Sequence, residues 1–409
     1  MSEFKKYRII VGLSGGVDSS VAAALLLEQG HEVIGVFMRN WHDDTVTINN
    51  ECPWIDDSND ALLVAQHLNI PFQVLDLSQD YKSKIIDYMF AEYEYGRTPN
   101  PDILCNREIK FDVFLKHALT LGADFVATGH YCRKGVEILD GNTHYTLKAG
   151  KDFNKDQSYF LCQVSQEQLS KTLFPIGNYE KSEVRLLAEK FQLPTAKKKD
   201  SQGLCFIGKI KLPIFLQSQL KPKTGNVILL PDFNNPDSLS QINFTLYKEW
   251  QTKNTETSFE LLCEDYQYHE DMGTIIGQHQ GAHYYTIGQR KGLGIGGQEI
   301  PLFVVKTNTV TNTIFVVSGE FHPLLFRKGL RVPATLVHWI DNSIKMQINE
   351  ERKYQIRIRY RQKLESCTLI QREDYLYIRF DKPMKGISPG QFAAWYHGDE
   401  LVGSGVIQS

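Results

Sequence analysis

The sequence predicts an α/β protein in which a domain with an open parallel sheet precedes a small mixed or β central domain and a C-terminal all-β barrel. Residues 1–205 alternate short apolar runs with amphipathic segments, and residues 299–409 consist of short β-like runs separated by turns. The length of 409 residues also favours two or three domains. We therefore divide the chain into residues 1–205, 206–298 and 299–409.

In the first domain, apolar runs with β-branched residues predict strands, and runs of helical periodicity predict helices. The predicted strands are residues 7–11, 32–38, 72–77 and 125–128, and the predicted helices are residues 21–29, 58–68, 81–95, 106–121 and 180–193. Gly30, Gly96, Gly122 and Pro194 lie at the ends of four of these helices. Strands that alternate with helices indicate a parallel sheet, which binds ligands at the carboxyl ends of its strands.

The remaining residues give weaker patterns. Residues 233–270 are rich in Asn, Asp, Ser, Thr and Gln, and residues 273–297 are dense in glycine. The β-like runs of the third domain are residues 302–306, 313–317, 353–361, 375–380 and 392–396. Their regular spacing is typical of a small barrel or sandwich. Arg357, Arg359 and Arg361 would share one face of a strand, either as a solvated face or as contacts to phosphates.

The loop between the first strand and the first helix carries the clearest chemical signal. It reads Gly12, Leu13, Ser14, Gly15, Gly16, Val17, Asp18, Ser19, Ser20. Glycines let backbone N–H groups approach a polyphosphate, and the helix N-terminus favours an anion. The sequence matches neither a Walker A loop nor a dinucleotide fingerprint. It resembles the PP-loop of the ATP pyrophosphatases, which cleave ATP between its α and β phosphates.

Two further residues fall at the same predicted edge of the sheet. Met38 ends the second strand and is a candidate for contact with the adenine. Gly129 follows the strand at 125–128 and would allow the nucleotide to approach closely. Packing and turn chemistry explain both positions equally well.

The composition limits the classes of function. A net charge of −3 means that any nucleic-acid surface must be a local patch. The seven cysteines contain no Cys-x-x-Cys pair, so we expect neither an iron–sulfur cluster nor a zinc site. The first predicted strand begins near Met1 and no long apolar run follows, so we expect a cytoplasmic protein with reduced thiols and no membrane contact.

Two cysteines differ from the other five. Cys105 follows Pro99 and Pro101 at a predicted helix start near Arg107 and Lys110, which would lower its pKa. Asp102 lies three residues earlier and could transfer protons. Cys205 follows three lysines in a loop that contains glycine, which is again an electropositive setting. The remaining cysteines are expected to be buried and inert.

With a PP-loop and two activated thiols, the chain resembles the tRNA-specific 2-thiouridylases, the MnmA family of bacteria. The matching stretches are residues 12–20, 96–106, 127–131, 154–161, 196–208 and 286–297. The resemblance implies a PP-loop domain of the adenine nucleotide α-hydrolase type. The stretch at about 230–272 is longer and more polar than is usual in the family, and its role is open.

The resemblance also implies roles for individual residues. Cys105 would be the nucleophile, Cys205 the persulfide carrier and Asp102 an acid or base. ATP would contact residues 12–19, Met38 and Gly129. The residues expected to contact tRNA are Asn100, Pro101 and Asp102 at the target base, with Lys155, Asp156, Gln157, Arg359 and Tyr360 elsewhere.

The implied reaction is 2-thiolation of the wobble uridine, position 34 of tRNA. The uridine C2 oxygen would attack the α-phosphate of ATP, with Mg²⁺ balancing the phosphate charge. The Cys205 persulfide would deliver sulfur to C2 and expel AMP, and a Cys105–Cys205 disulfide would remain. The implied partners are tRNA and an upstream protein that donates persulfide sulfur.

Three alternatives remain open at this point. A PP-loop ligase or synthetase for a small molecule would not need the cysteine pair. A nucleotide-binding protein without catalysis would not release pyrophosphate in response to tRNA. A tRNA thiolase with an iron–sulfur cluster would be coloured, and the lack of Cys-x-x-Cys weighs against it.

Overall fold

The computed structural model describes residues 5–40, 53–199, 212–233, 245–255 and 258–408. In chain order, the strands are β1 (Arg8–Gly12), β2 (Glu32–Arg39), β3 (Phe72–Asp76), β4 (Phe125–Ala127), β5 (Cys132–Leu139), β6 (Asn142–Ala149), β7 (Thr172–Leu173), β8 (Gly225–Leu229), β9 (Thr274–His279), β10 (Leu302–Asn308), β11 (Thr313–Ser318), β12 (Phe326–Pro333), β13 (Val337–Trp339), β14 (Glu351–Arg357), β15 (Glu365–Gln371), β16 (Tyr375–Lys385), β17 (Phe392–His397) and β18 (Glu400–Val406).

The principal helices flank the first sheet. They are Val17–Glu28, Pro53–His67, a run of Ser78–Tyr81, Lys82–Ile86 and Asp87–Glu94, a second run of Pro101–Leu104, Cys105–Val113 and Phe114–Thr120, and Lys181–Lys190. Lys82–Ile86 and Cys105–Val113 are π-helical. No helix within the described ranges is long and apolar enough to cross a membrane.

The first sheet confirms the predicted α/β fold. Its strand order is β3-β2-β1-β4-β7, and every neighbouring pair is parallel. The chain leaves β1 towards β2 and later returns to the other side of β1 through β4, so the connections change direction between β1 and β4. In open parallel sheets this change of direction creates a crevice where ligands bind. The residues after Gly12 and after Ala127 face this crevice from neighbouring strands.

The second sheet corrects the predicted domain boundary at residue 298. Its order is β10-β11-β8-β9, and β11 pairs with β8 through Thr313 opposite Asn226. β10 and β11, which we assigned to the C-terminal barrel, therefore belong to the central domain. Local patterning identifies these runs as strands but not which strands they pair with, and the pairing sets the boundary.

The third sheet joins the first domain to the C-terminal domain. Strands β12 and β14–β18 form its body, and the hairpin β5–β6 extends it through Leu147 opposite Leu401. The sequence did not predict this hairpin. Its two strands alternate buried and exposed residues only partly, and Val136 and Ile138 face outwards. The first domain thus contributes two strands to the C-terminal sheet.

Part of the polar stretch at 230–272 is packed into the fold. Its described residues form the helices Thr245–Thr255 and Phe259–Cys263. Leu246 is fully buried in the core of the central domain, and Phe259 packs beside Ile370 and Tyr377 of the C-terminal sheet. The insertion therefore bridges the central and C-terminal domains.

A buried ion pair ties the first domain to the C-terminal sheet. Arg357, at the end of β14, pairs with Asp156, and their side chains are 8% and 4% exposed. Arg357 also donates to Tyr396 Oη at 3.0 Å and to Ser158 Oγ at 3.0 Å. The arginine stripe predicted over 357–361 is therefore wrong. β14 ends at Arg357, and this arginine faces a buried carboxylate instead of solvent.

Candidate active site

The PP-loop forms a tight turn between β1 and the helix Val17–Glu28. Gly15 has a φ of +70°, and a Cβ at this position would lie 2.1 Å from Asp57 O, so only glycine fits. The Ser14 N–H donates to Ser19 Oγ at 3.1 Å. No side chain caps the helix at Gly16. The first turn of this helix therefore keeps its N–H groups for an anion.

Asp18 lies in the first turn of that helix and is held by two residues from distant segments. Lys181 Nζ donates to the two carboxylate oxygens of Asp18 at 2.8 and 3.0 Å. Tyr131 Oη donates to Asp18 Oδ1 at 2.7 Å. Sequence reasoning identified Asp18 but missed Lys181 and Tyr131, because neither belongs to a local pattern with the loop.

Met38 and Gly129 both lie next to the loop, as predicted, but close packing accounts for them. A Cβ on Gly12 would lie 3.0 Å from Met38 Cε, and Met38 is buried. A Cβ on Gly129 would lie 2.6 Å from Ser19 N. The helix backbone is thus what approaches Gly129 closely in this structure. Contact of either residue with ATP stays a prediction.

Lys198 connects the segment that leads to Cys205 with the PP-loop. Its Nζ donates to Gly15 O at 3.0 Å and to Asp57 Oδ1 at 2.7 Å, and it also pairs with Asp60. Burial acts to lower the pKa of Lys198, but the hydrogen bonds to both aspartates outweigh it and raise the pKa.

A second contact anchors the same segment, since Thr195 Oγ1 donates to Ser20 Oγ at 3.1 Å. The stem of this segment is therefore anchored on the phosphate loop. Cys205 itself lies outside the described residues.

Cys105 is more deeply placed than the sequence indicated. The helix begins at Pro101, where the Asn100 side chain accepts the Ile103 N–H at 3.3 Å, and not at or after Cys105. Cys105 lies in the second turn and is 0% exposed. The expected position of this thiol at a helix N-terminus is therefore wrong. Pro101 at the first helical position moves the start of the helix forward.

Cys105 packs in the same core cluster as Met38 and two strands of the sheet. This cluster includes Ile10 of β1 and Val126 of β4, on either side of the change of direction. Arg107, expected to act on the thiol, donates instead to Gln163 Oε1 at 2.9 Å. The nucleophile candidate thus lies on one face of the sheet whose edge carries the PP-loop.

Four other cysteines lie within the described ranges and are buried, namely Cys132, Cys162, Cys263 and Cys367. Burial raises the pKa of Cys162, Cys263 and Cys367 to about 12, and it raises that of Cys132 as well. Thiols with such pKa values carry almost no thiolate at neutral pH, so they are poor nucleophiles. This confirms the prediction of inert thiols for these four; Cys52 lies outside the described residues.

The segment predicted to contact the target base sits where the three domains meet. Thr98 N donates to Pro389 O at 2.8 Å, and Gln391 Nε2 donates to Thr98 O at 2.8 Å. Thr98 Oγ1 donates to Thr286 Oγ1 of the central domain at 3.3 Å. Asn100 Nδ2 donates to Gln391 Oε1 at 3.4 Å. Residues 98–100 are therefore held against both later domains.

The other predicted tRNA contacts divide into buried and accessible residues. Asp156 is buried, and its carboxylate accepts from Gly150 N at 3.1 Å as well as from Arg357, so these partners account for its position and its contact with tRNA stays a prediction. Gln157 accepts the Tyr131 N–H. Arg359 is exposed and donates to Gly386 O at 2.8 Å. Tyr360 packs against Phe160 in a tilted arrangement with ring centroids 4.4 Å apart.

We expect Asp18→Ala to reduce pyrophosphate release from ATP about 100-fold, the size of effect seen when one preorganised electrostatic group is lost. Its contacts with Lys181 and Tyr131 fix this carboxylate at the helix start. Binding of tRNA should change little. The measurement is pyrophosphate release with tRNA and ATP, and Asp87→Ala, an exposed helix position, is the control. Unchanged release in Asp18→Ala would remove the PP-loop assignment.

Comparison with known proteins gives matches along the chain. Residues 7–209 match the tRNA methyl transferase HUP domain, residues 266–318 the tRNA methyl transferase PRC-barrel domain, and residues 329–407 the aminomethyltransferase beta-barrel domain. The central match ends at residue 318, where β11 ends.

Three relatives that match over nearly their full length share one name. The tRNA-specific 2-thiouridylase MnmA of Flavobacterium johnsoniae is 58% identical over 98% of this chain and 99% of its own length. The protein of that name from Christiangramia forsetii is 56% identical over 98% and 99%. That from Pseudomonas fluorescens Pf0-1 is 41% identical over 100% and 96%.

Proposed function

Since the chain belongs to the family of tRNA-specific 2-thiouridylases, we propose that it replaces the C2 oxygen of the wobble uridine of tRNA with sulfur at the expense of ATP. The observation that carries the proposal is the placement of the PP-loop at the change of direction between β1 and β4. The helix that bears Cys105 packs against the same two strands. One domain thus brings together a site for activation by ATP and a thiol.

Activation comes first because a carbonyl oxygen is a poor leaving group. The uridine C2 oxygen attacks the α-phosphate, the α–β phosphoanhydride bond breaks and pyrophosphate leaves. Asp18, Ser14 and Ser19 offer the oxygen ligands that Mg²⁺ prefers, and a bound Mg²⁺ would supply charge neutralisation for the phosphates. The amides at the start of the helix Val17–Glu28 hold phosphate oxygens, and Lys181 supplies positive charge beside Asp18.

Sulfur transfer follows on the adenylated base. The terminal sulfur of a Cys205 persulfide attacks C2, and the C2–oxygen bond breaks to release AMP. The Cys105 thiolate then attacks Cys205 Sγ, which breaks the persulfide S–S bond and leaves the sulfur on C2. A Cys105–Cys205 disulfide forms, and an external thiol reductant must open it. Asp102 lies on the same helical run as Cys105, and we assign it as the general acid or base of the reaction.

The partners follow from this chemistry. An upstream protein that carries a persulfide loads Cys205, since a thiol cannot acquire sulfane sulfur without such a donor. The proposed substrate is tRNA, and we assign the reaction to the cytoplasm.

The test is mass spectrometry of anticodon nucleosides after incubation of the protein with unmodified tRNA, ATP and a persulfide source. We expect 2-thiouridine at position 34 and one pyrophosphate per modified base. A ligase acting on a small molecule would release pyrophosphate without tRNA, and a binding protein without catalysis would release none. Either result would refute the proposed function.

We expect Arg359→Ala to weaken tRNA binding and to lower the slope of log K against log salt by about one, the loss of one phosphate contact. Arg359 is exposed where the central and C-terminal domains meet, and it donates to Ile287 O at 3.1 Å. Titrations at several salt concentrations measure both quantities, with Lys345→Ala, on an exposed turn, as the control. If Arg359→Ala matches the parent in affinity and slope, Arg359 has only a structural role.

A further inference from the structure

We infer that Phe153 is a stacking platform for an unpaired base of the tRNA anticodon loop, an inference that rests on the proposed function. Phe153 is 86% exposed. Among the described residues of the first domain, the other aromatic ring that is strongly exposed is Tyr95, which lies 5.1 Å from the Arg97 guanidinium. No aromatic or cationic neighbour in the described chain covers the Phe153 ring. Single exposed apolar side chains are common on protein surfaces, so the assignment depends on where the turn that carries Phe153 lies.

The turn that carries Phe153 is held firmly on both sides. The Asp152 carboxylate accepts the Asn154 N–H at 2.9 Å and the Lys181 N–H at 3.0 Å. The Lys151 N–H donates to Gly177 O at 3.0 Å, and the Lys155 N–H donates to Asp152 O at 3.1 Å. A base that stacks on this ring therefore loses less free energy to ordering than it would on a mobile loop.

The position of the turn points to nucleic acid bound near the ATP site. Lys181, whose N–H is capped by Asp152, is the residue that holds Asp18 of the PP-loop. On its other side the turn continues into Lys155, whose carbonyl accepts from Tyr360 Oη at 3.5 Å. The residues on either side of Phe153 thus contact Lys181, which holds Asp18, and Tyr360, which is a predicted tRNA contact.

The charges around the turn are also compatible with a polyanion. The carboxylate of Asp152 is used in capping, and Glu183 accepts from Glu180 N at 2.7 Å and from Lys151 Nζ at 2.9 Å. Two acidic groups beside Phe153 are therefore engaged, Asp152 by the N–H of Lys181 at a helix N-terminus and Glu183 by Lys151. Single-stranded RNA loops are recognised largely by stacking on aromatic side chains, which tolerates different bases.

The experiment compares Phe153→Leu, Phe153→Ala, Phe153→Tyr and Phe153→Trp in the full-length protein. Because base stacking on an aromatic ring is worth roughly 1–3 kcal/mol by alanine substitution, Phe153→Ala and Phe153→Leu should raise the Kd for an anticodon stem–loop RNA about 5- to 150-fold. Phe153→Tyr and Phe153→Trp should bind as the parent does. The fluorescence of Phe153→Trp should be quenched on adding the RNA, after subtraction of the parent signal.

The matched control is Phe321→Ala, which should bind the RNA as the parent does. Phe321 is 79% exposed and lies in a turn between β11 and β12.

The outcomes separate this inference from the proposed function. Parent affinity in Phe153→Leu, or a raised KM for ATP with unchanged RNA affinity, would overturn the stacking role while leaving thiolation of tRNA by the parent intact. Failure of the parent to bind or thiolate tRNA would overturn both.

Discussion

Cys205→Ser should abolish sulfur transfer, whereas Cys105→Ser should stop turnover and still accept sulfur on Cys205. A hydroxyl cannot carry a persulfide, so the first variant has no sulfur to deliver. The second variant can be loaded, but without a thiolate to attack Cys205 Sγ the sulfur is not released to C2. Both losses should be complete within detection, since the four other described cysteines are buried and their pKa values are raised.

The measurement is non-reducing peptide mapping after one turnover with tRNA, ATP and a persulfide donor, together with nucleoside analysis. A Cys105–Cys205 link should form in the parent and in a Cys367→Ala control, because Cys367 is buried at β15. A disulfide needs Cα atoms within about 7 Å of each other. Full thiolation by either serine variant, with free sulfide excluded, would refute the mechanism.

The burial of Cys105 adds a kinetic expectation to this experiment. Its side chain is 0% exposed in a core cluster, so an alkylating reagent should modify it slowly in the protein alone. The scheme requires Cys105 to reach the persulfide during the reaction. Alkylation should therefore become faster when tRNA and ATP are both present, and peptide mass spectrometry can follow it.

Arg357→Met should destabilise the protein by about 3–5 kcal/mol, because it leaves the Asp156 charge buried without its partner. Both side chains are less than a tenth exposed, and the pair crosses from the first domain to the C-terminal sheet. Thermal unfolding measured by calorimetry should show a clearly lower midpoint. The double variant Asp156→Asn with Arg357→Met should recover part of the loss, because it removes the unpaired charge.

An exposed pair across the same domains provides the matched control. Arg133 and Asp399 lie 2.7 Å apart with side chains 33% and 49% exposed. Solvent-exposed pairs contribute roughly 0–1 kcal/mol, so Arg133→Met should shift the midpoint only slightly. Equal shifts in Arg133→Met and Arg357→Met would contradict the role of burial.

The sequence was sufficient for the features that depend on neighbouring residues. The strands of residues 8–76 and the ends of the three helices up to residue 94 lie within one residue of prediction, because apolar runs and glycine stops are local signals, but these helices start three to five residues earlier than predicted. The helical run over 101–120 begins five residues before the predicted start at residue 106. The pattern over 106–121 was recognised, but Pro101 was placed before the helix, whereas it is the first helical residue and Asn100 is its N-cap.

The features that sequence could not supply are pairings between distant residues. The strand order of the central sheet and the hairpin β5–β6 depend on long-range partners. Arg357 was interpreted as a surface residue because an arginine on a strand usually is, and only the carboxylate 201 residues away reverses this. Likewise, Lys181 meets Asp18 across 163 residues of sequence, so no motif marks it.

Lys198 is anchored on the PP-loop, and this anchoring limits the distance that Cys205, the proposed sulfur carrier, can move. Cys205 follows Lys198 by seven residues, so an extended chain places it at most about 25 Å from Lys198. One thiol confined to a sphere of that radius has an effective concentration of roughly 25 mM at the nucleotide site. A small sulfur donor in solution would need a comparable concentration to compete with the tethered persulfide. The short tether would thus favour the proposed Cys205 persulfide over free sulfide that has no affinity of its own for the site.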